Sequence, residues 1–237
     1  MQAVNYKDLG IIEYKAAWDY QESLLQQNVD LKTAARKENS NYDTGALPTR
    51  HYFLICEHEP VYTLGKSGNI NHVLMSKEEL AKNGISFFNT NRGGDITFHG
   101  LQQIVGYPIL DLEKFYTDIG RYLRNLEEVI INTIAANGII GERSKGETGV
   151  WIEPGVRGRE RKICAIGVRC SRWITMHGFA LNVNTDLRYF NNIIPCGIQN
   201  KQVTSLEKEV GHKLNYDEVK DELKRNFEKV FDVKLQE

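Results

Sequence analysis

His51-Tyr52-Phe53-Leu54-Ile55-Cys56, followed by Val61-Tyr62-Thr63-Leu64, is where the periodicity of this chain changes. Both runs are dense in aromatic and β-branched side chains, which suit a pleated and half-buried surface, and both read as strands. Upstream, Tyr14, Ala17, Trp18, Gln21, Leu24 and Leu25 recur at helical spacing on one face. The polar stretch from Lys37 to Thr49 between helix and strands reads as a loop. Downstream come further short strand-like runs: Ile85 to Phe88, Asp95 to Phe98, Gln103 to Tyr107, Gly149 to Ile152, Ile163 to Val168, and Trp173 to Val183. A helix interrupts them. Thr117 is placed to cap it, Ile119, Tyr122, Leu123, Leu126, Ile130 and Ile134 form its buried stripe, and Gly138 ends it. Asn215, with Glu218 three residues on, opens a last helix over about 215–231, lined by Tyr216, Val219, Leu223, Phe227 and Val230. Strands in runs, with helices at both ends and in the middle, predict one domain over residues 1–237. Its class is α/β (α+β), with mixed sheets covered by helices.

The 237 residues are enough to bury a core without staples, and 41% hydrophobic with 26% charged residues is the profile of a globular protein. A formal net charge of −1 gives no footprint for nucleic acid or membrane. The basic cluster Arg157-Gly158-Arg159-Glu160-Arg161-Lys162 is broken by a glycine and an acid and reads as a solvated loop. The start, from Met1 to Asp8, lacks the pattern of a secretory signal, and no run approaches the ~18 apolar residues of a membrane helix. Cys56, Cys164, Cys170 and Cys196 form no Cys-x-x-Cys pair, and the six histidines show no paired ligand spacing. Reduced thiols in a cytoplasmic protein, with no metal and no cofactor, are the expectation.

Two stretches carry chemistry. Arg92-Gly93-Gly94-Asp95-Ile96-Thr97-Phe98-His99-Gly100 joins a glycine pair, which lets backbone approach a ligand, to an arginine fork for a phosphate or carboxylate. In this stretch His99 is suited to orient a group or move a proton; a hairpin whose glycines serve only the turn is the plain alternative. The pattern is neither Walker A nor the dinucleotide motif, so no nucleotide is implied. The second stretch centres on Cys196. Pro195 and Gly197 fix a turn around it and deny it a place in a regular core strand. Cys56 and Cys164 lie in apolar runs and read as small buried hydrophobes, while Cys170, though beside Arg169, has no base or glycine turn next to it. Lys162, at the head of Lys162-Ile163-Cys164-Ala165-Ile166-Gly167, offers a cation to lower a thiol pKa or an amine to act as base. A lysine on a strand and a cysteine on a glycine-flanked turn are the parts of a nucleophilic acyl-transfer site. His177-Gly178 repeats the pairing of His99-Gly100 and suggests a second piece of pocket wall.

Taken in order, Glu57-His58-Glu59-Pro60-Val61-Tyr62-Thr63-Leu64-Gly65, the Arg92 to Gly100 stretch, Tyr107-Pro108-Ile109-Leu110-Asp111-Leu112, Lys162 to Gly167, His177 to Val183, Pro195-Cys196-Gly197 and Val203-Thr204-Ser205-Leu206 resemble the lipoyl(octanoyl) transferase family, over about residues 9–206. The resemblance implies a fold related to the catalytic domains of biotin and lipoate protein ligases. It implies transfer of an octanoyl group from octanoyl-acyl carrier protein to a lysine of a lipoyl domain, as in the glycine-cleavage H protein or 2-oxoacid dehydrogenase E2 subunits. The family's thioester-forming cysteine falls on Cys196 and its partner lysine on Lys162. Its acyl-pocket segments fall on Arg92 to His99, on Ala165, Ile166 and Gly167, and on Gly178, Phe179 and Ala180, with Phe98, Ile166 and Phe179 as apolar wall. The family's His-Gly-Pro-Gly-Gln is replaced by His99-Gly100-Leu101-Gln102-Gln103. That exchange of a proline–glycine bend for two bulky residues bears on the local wall of the acyl pocket. Competing readings are an ATP-dependent lipoate ligase on the same fold, which would need no cysteine nucleophile, and a non-catalytic module that binds lipoyl or carrier domains. A cysteine hydrolase lacks an assignable Cys-His-Asn spacing.

Overall fold

Strand β1 (Gln2–Ile11) leads into helix α1 (Tyr14–Glu38) in the computed structural model of the chain, which describes residues 1–38, 47–194 and 202–237. There follow β2 (His51–Glu57), β3 (Val61–Leu64), α2 (Lys77–Lys82), β4 (Ser86–Asn89), β5 (Ile96–His99), β6 (Gln103–Ile109), α3 (Ile119–Ala135), β7 (Val150–Ile152), β8 (Arg161–Ser171) and β9 (Ile174–Asn182). The chain closes with β10 (Gln202–Val203), α4 (Leu206–Val210), α5 (Tyr216–Phe231) and β11 (Val233–Gln236). Among the described residues, eight strands form one mixed sheet in the order β10-β8-β9-β6-β2-β1-β11, with β7 on the other side of β8. A second, three-stranded sheet runs β4-β3-β5.

Both faces of the large sheet are covered, which explains the unbroken apolar run in β2. Phe53 and Ile55 face α3 and α5, where Phe53 stacks on Phe227 at 4.0 Å between ring centroids. Their neighbours Leu54 and Cys56 face α1 and pack with Ala17, Leu24 and Leu25. A strand buried on both sides loses the polar alternation of a half-exposed one. The small sheet has its own core of Tyr62, Leu80, Ile85, Ile96, Phe98 and Ile193. No helix among the described residues is long and apolar enough to cross a membrane.

Several local expectations are corrected. The N-cap of α3 is Asp118, not Thr117: its carboxylate accepts the Arg121 N–H at 2.9 Å. Trp173 does not begin a strand. With Arg172 it makes the two-residue turn of the β8–β9 hairpin, at φ 50° and 66°, the sense that matches strand twist. Helix α1 continues through Lys37 and Glu38, two residues into the polar stretch. Asn215 caps α5 as its spacing predicts, accepting from the N–H groups of Asp217 and Glu218.

Candidate active site

A cavity of about 660 Å³ opens where the small sheet meets β8 and β9, a size that suits a small ligand. Arg92, Gly93, Gly94, Asp95, Ile96, Thr97 and His99 line it from the glycine-pair loop and β5. From β8 come Lys162, Ala165, Ile166 and Gly167, and from β9 come His177, Gly178, Phe179 and Ala180. The glycines make the contact between layers. A Cβ on Gly167 would stand 2.7 Å from the Gly93 carbonyl oxygen, and the Gly93 N–H donates to the Val168 carbonyl at 2.9 Å. Phe98 is corrected as a wall residue. The pleat turns it to the core of the small sheet, stacked on Tyr189 at 4.6 Å, while Thr97 and His99 face the cavity.

Lys162 is held from both sides. Its Cα partners are Trp151 on β7 and Val203 on β10, and the Thr204 N–H donates to its carbonyl at 2.9 Å. Its Nζ lies 4.6 Å from the centroid of the Trp151 ring, a cation–π distance. Its stem lies over Gly149, where a Cβ would stand 3.5 Å from Lys162 Cε. Trp151, Glu147 and Thr148 were not singled out from the sequence. The usable signal is the strand-like run after Gly149, since a strand pairing with the Lys162 strand must place its residues beside the lysine.

Arg92 does not present its fork to a ligand as expected. It is buried, and its guanidinium donates to the Thr63 carbonyl (2.5 Å), the Thr63 hydroxyl (2.9 Å) and the Gly93 carbonyl (3.0 Å). From there a directed chain crosses the cavity floor. The Gln103 amide nitrogen donates to the Phe98 carbonyl (3.1 Å) and to Asn182 Oδ1 (2.8 Å). Its oxygen must therefore accept, so His99 carries its proton on Nδ1, 3.0 Å away. His99 Nε2 is then a lone pair facing the Thr63 hydroxyl at 3.3 Å. Asn182 in turn donates to the Thr204 carbonyl at 2.9 Å. With both ring nitrogens engaged, and burial followed by His58 and Arg92 holding its pKa well below the usual range, His99 stays neutral and orients rather than moves a proton.

The neighbouring imidazoles follow the same rule. His58 donates from Nδ1 to the Ile12 carbonyl and accepts the Tyr107 hydroxyl on Nε2, both at 2.7 Å, and burial lowers its pKa to about 4. His177 donates from Nε2 to Asn91 Oδ1 at 2.7 Å, and burial with Arg92 and Arg169 lowers its pKa to about 3. Tyr14 and Tyr107, also unassigned from sequence, line the same cavity. Asp95 lines it too, but its carboxylate is engaged with His72 Nδ1 at 2.6 Å and with the N–H of Ile96.

Cys196 lies outside the described residues. The described residues on either side of its segment are both tied down: the Ile194 N–H donates to the His72 carbonyl at 2.8 Å, and the Gln202 N–H to the Glu160 carbonyl at 3.1 Å. Val203, which pairs with Lys162, also lines the cavity. Burial pushes the thiols of Cys56, Cys164 and Cys170 up, so none of these three is a ready thiolate. Leu101 and Gln102 do not line the cavity. They form the β5–β6 turn, in which Gln102 takes the left-handed conformation at φ 59° and its N–H is held by Glu57 at 2.5 Å. The exchange of proline–glycine therefore changes a turn behind the pocket and not its wall. Among the described residues no group of three or more His, Cys, Asp or Glu side chains is placed to hold a metal ion.

The chain matches the family model of the lipoyl protein ligase A/B catalytic domain over residues 13–228. It is 54% identical over 233 residues to an octanoyltransferase of Christiangramia forsetii, covering 98% of this chain and 97% of the relative. It is 55% identical over 232 residues to an octanoyltransferase of Flavobacterium psychrophilum, with the same coverage of 98% and 97%. In fold it is similar to a lipoate-protein ligase A solved with ATP (TM-score 0.67, 15% identity, covering 100% of this chain and 87% of that one). It is also similar to a bipartite lipoate protein ligase from Thermoplasma acidophilum (TM-score 0.66, 18% identity, 100% and 87% covered).

Proposed function

The chain belongs to the lipoyl protein ligase A/B catalytic-domain family, and from that premise we propose that it moves an octanoyl group from octanoyl-acyl carrier protein to a lysine of a lipoyl domain, through a thioester on Cys196. Lipoyl domains of the kind found in the glycine-cleavage H protein and 2-oxoacid dehydrogenase E2 subunits are the acceptors, and the cytoplasm is the site of the reaction. The enzyme is an acyltransferase of lipoate biosynthesis.

The observation that supports this chemistry best is the cavity itself. Ile166, Phe179 and Ala180 give it an apolar wall for a fatty chain, and Lys162 stands at its edge between β7 and β10. In the first half-reaction the Cys196 thiolate attacks the donor's thioester carbon; a carbon–sulfur bond forms to Cys196 as the bond to the carrier's thiol breaks. In the second, the acceptor amine attacks the acyl-Cys196 carbon, a carbon–nitrogen bond forms, and the Cys196 sulfur leaves. Lys162, as the cation, stabilises the thiolate in the first step and gives its proton to the departing carrier thiolate; left neutral, it takes the amine proton in the second. Exchanging thioester for thioester is nearly neutral and forming an amide runs downhill, so no ATP is consumed.

Incubation with octanoyl-acyl carrier protein alone is expected to add roughly 126 daltons to the intact mass, the gain for acylation of a nucleophilic thiol, and Cys196→Ala is expected to lose both the adduct and transfer. An unchanged transfer rate in Cys196→Ala removes the covalent route. Activity with free octanoate plus ATP, and none with the carrier thioester, makes the chain a ligase instead.

A further inference from the structure

We propose that Glu127 is a positioning residue for the transfer reaction: it fixes the Gly149 peptide on which the Lys162 stem rests. The inference rests on the acyl-transfer reading, in which Lys162 serves the reacting thiol and amine.

Glu127 is a carboxylate on the buried face of α3, fully shielded from solvent among Leu126, Ile130 and Ile134. Packing alone does not call for a charge here, since a buried ion cluster replaced as a whole by apolar side chains of similar volume is commonly as stable or more so. What the carboxylate does is divide its oxygens between two jobs. Oε2 accepts from Arg124 at 2.7 Å and from Arg143 Nε at 3.1 Å. Oε1 accepts the Gly149 N–H at 3.1 Å. The arginines hold the carboxylate, and the carboxylate holds the peptide that begins β7.

Gly149 needs that hold. It sits at φ +119°, and a Cβ there would stand 2.6 Å from the Cys164 carbonyl oxygen. The aliphatic stem of Lys162 passes this position at van der Waals distance, and two residues on, Trp151 lies beneath the lysine nitrogen. Gly146, Glu147 and Thr148, just before Gly149, line the cavity. A shift of this backbone would move the lysine and one wall of the slot together. Arg143 ties the start of the same loop to Glu128 at 2.5 Å and to the Arg124 carbonyl at 3.1 Å. The clamp thus spans the loop from Arg143 to Gly149.

Two variants test the clamp, one by shortening its reach and one by removing an acceptor. Glu127→Asp keeps the charge but withdraws the oxygen from Gly149. It is expected to lower kcat by about tenfold to a hundredfold, with KM for the octanoyl donor nearly unchanged, because a reacting group displaced by about 1 Å loses rate and not binding. Glu127→Gln has one oxygen for two sets of donors. With it turned to the arginines the amide NH2 faces the Gly149 N–H, and with it turned to Gly149 the NH2 faces the arginines. This variant too is therefore expected to lower kcat by about tenfold or more, with KM nearly unchanged. A wild-type kcat in either variant overturns the assignment; the near-isosteric Gln variant decides if the Asp variant does not fold. Lys162→Ala is measured alongside. If it retains full transfer, the role of Lys162 itself fails. If it abolishes transfer while Glu127→Asp turns over normally, only the role of Glu127 is lost.

Discussion

Phe98 and Thr97 are neighbours on β5, and the pleat sends them to opposite sides. Reading the 92–99 stretch as one pocket segment assigns both to the slot; the three-dimensional arrangement assigns Phe98 to a stack with Tyr189 and an edge contact with Phe190. Phe98→Ala is therefore expected to cost about 3–5 kcal/mol of stability, read as a lower urea midpoint, while the folded fraction keeps its ranking of acyl chain lengths. A change in that ranking at constant stability would put the ring back in the slot. Lys162 is readable from sequence because a charged residue heads an apolar strand run, and its surroundings then follow from pairing. Arg92 is not readable in the same way. Its fork is satisfied by Thr63, 29 positions away, and only the antiparallel register of β3 and β5, opposing Thr63 to Thr97, brings that partner to the glycine loop. Glu127 is hidden for a related reason: within α3 it looks like one more solvated helix acid, and its burial becomes visible only when the loop before β7 folds over it.

Elements with strong periodicity are the ones the sequence exposes. Helices α3 and α5 each present one apolar face. The stripes read from spacing hold the buried Tyr122, Leu126, Ile130 and Ile134 and the buried Val219, Leu223 and Phe227. They miss the buried Val129 and Phe231 and include the partly buried Ile119, Leu123, Tyr216 and Val230. Strands β1 and β11 escape notice because they form one edge of the large sheet, where most of their side chains meet solvent and no apolar alternation survives. The β5–β6 turn is the element where this chain departs from its family's usual pattern, and it offers a direct test of where that departure acts. Gln102 stands in the left-handed region that glycine enters freely and glutamine enters at a cost. The turn repays it through the Gln102 carbonyl, which accepts from the N–H groups of Val183 and Asn184, and through its side-chain oxygen, which accepts from Asn184 at 2.9 Å. Gln102→Gly removes the strain and that last bond together, so the two effects offset to within about 1 kcal/mol. Because the turn lies behind the cavity, kcat/KM for the octanoyl donor is expected to stay within about twofold. A tenfold change in either direction would place residues 101 and 102 in the acyl wall after all.

At the scale of the whole molecule, the layers that enclose the cavity also bury imidazoles, and this sets how the fold responds to acid. His51, His58 and His177 are all buried, and burial is the largest cause of their lowered pKa values, to about 4, about 4 and about 3. In the unfolded chain each titrates near 6.5. Between about pH 6.5 and pH 4 the unfolded state therefore binds more protons than the folded one, and stability rises with pH across that window. Each such group contributes a slope of about 1.4 kcal/mol per pH unit while it is neutral in the fold and protonated outside it. Glu127 works against the trend, because burial raises its pKa and the folded state gains a proton first as pH falls. Three imidazoles outweigh one carboxylate, so the net sign is loss of stability with acid. The carboxylates of Glu209 and Glu222, held low chiefly by Arg161 and Arg225, add to that loss only as pH drops below their ordinary range. The urea midpoint at constant m-value is thus expected to stay level from pH 8 to 7 and to fall steeply between 6.5 and 4, before ordinary carboxylate titration is complete. A midpoint that holds level down to pH 5 would mean that these rings are solvated or charged in the native state. The bond between the Tyr107 hydroxyl and His58 Nε2 would then have to be reversed, with the ring donating.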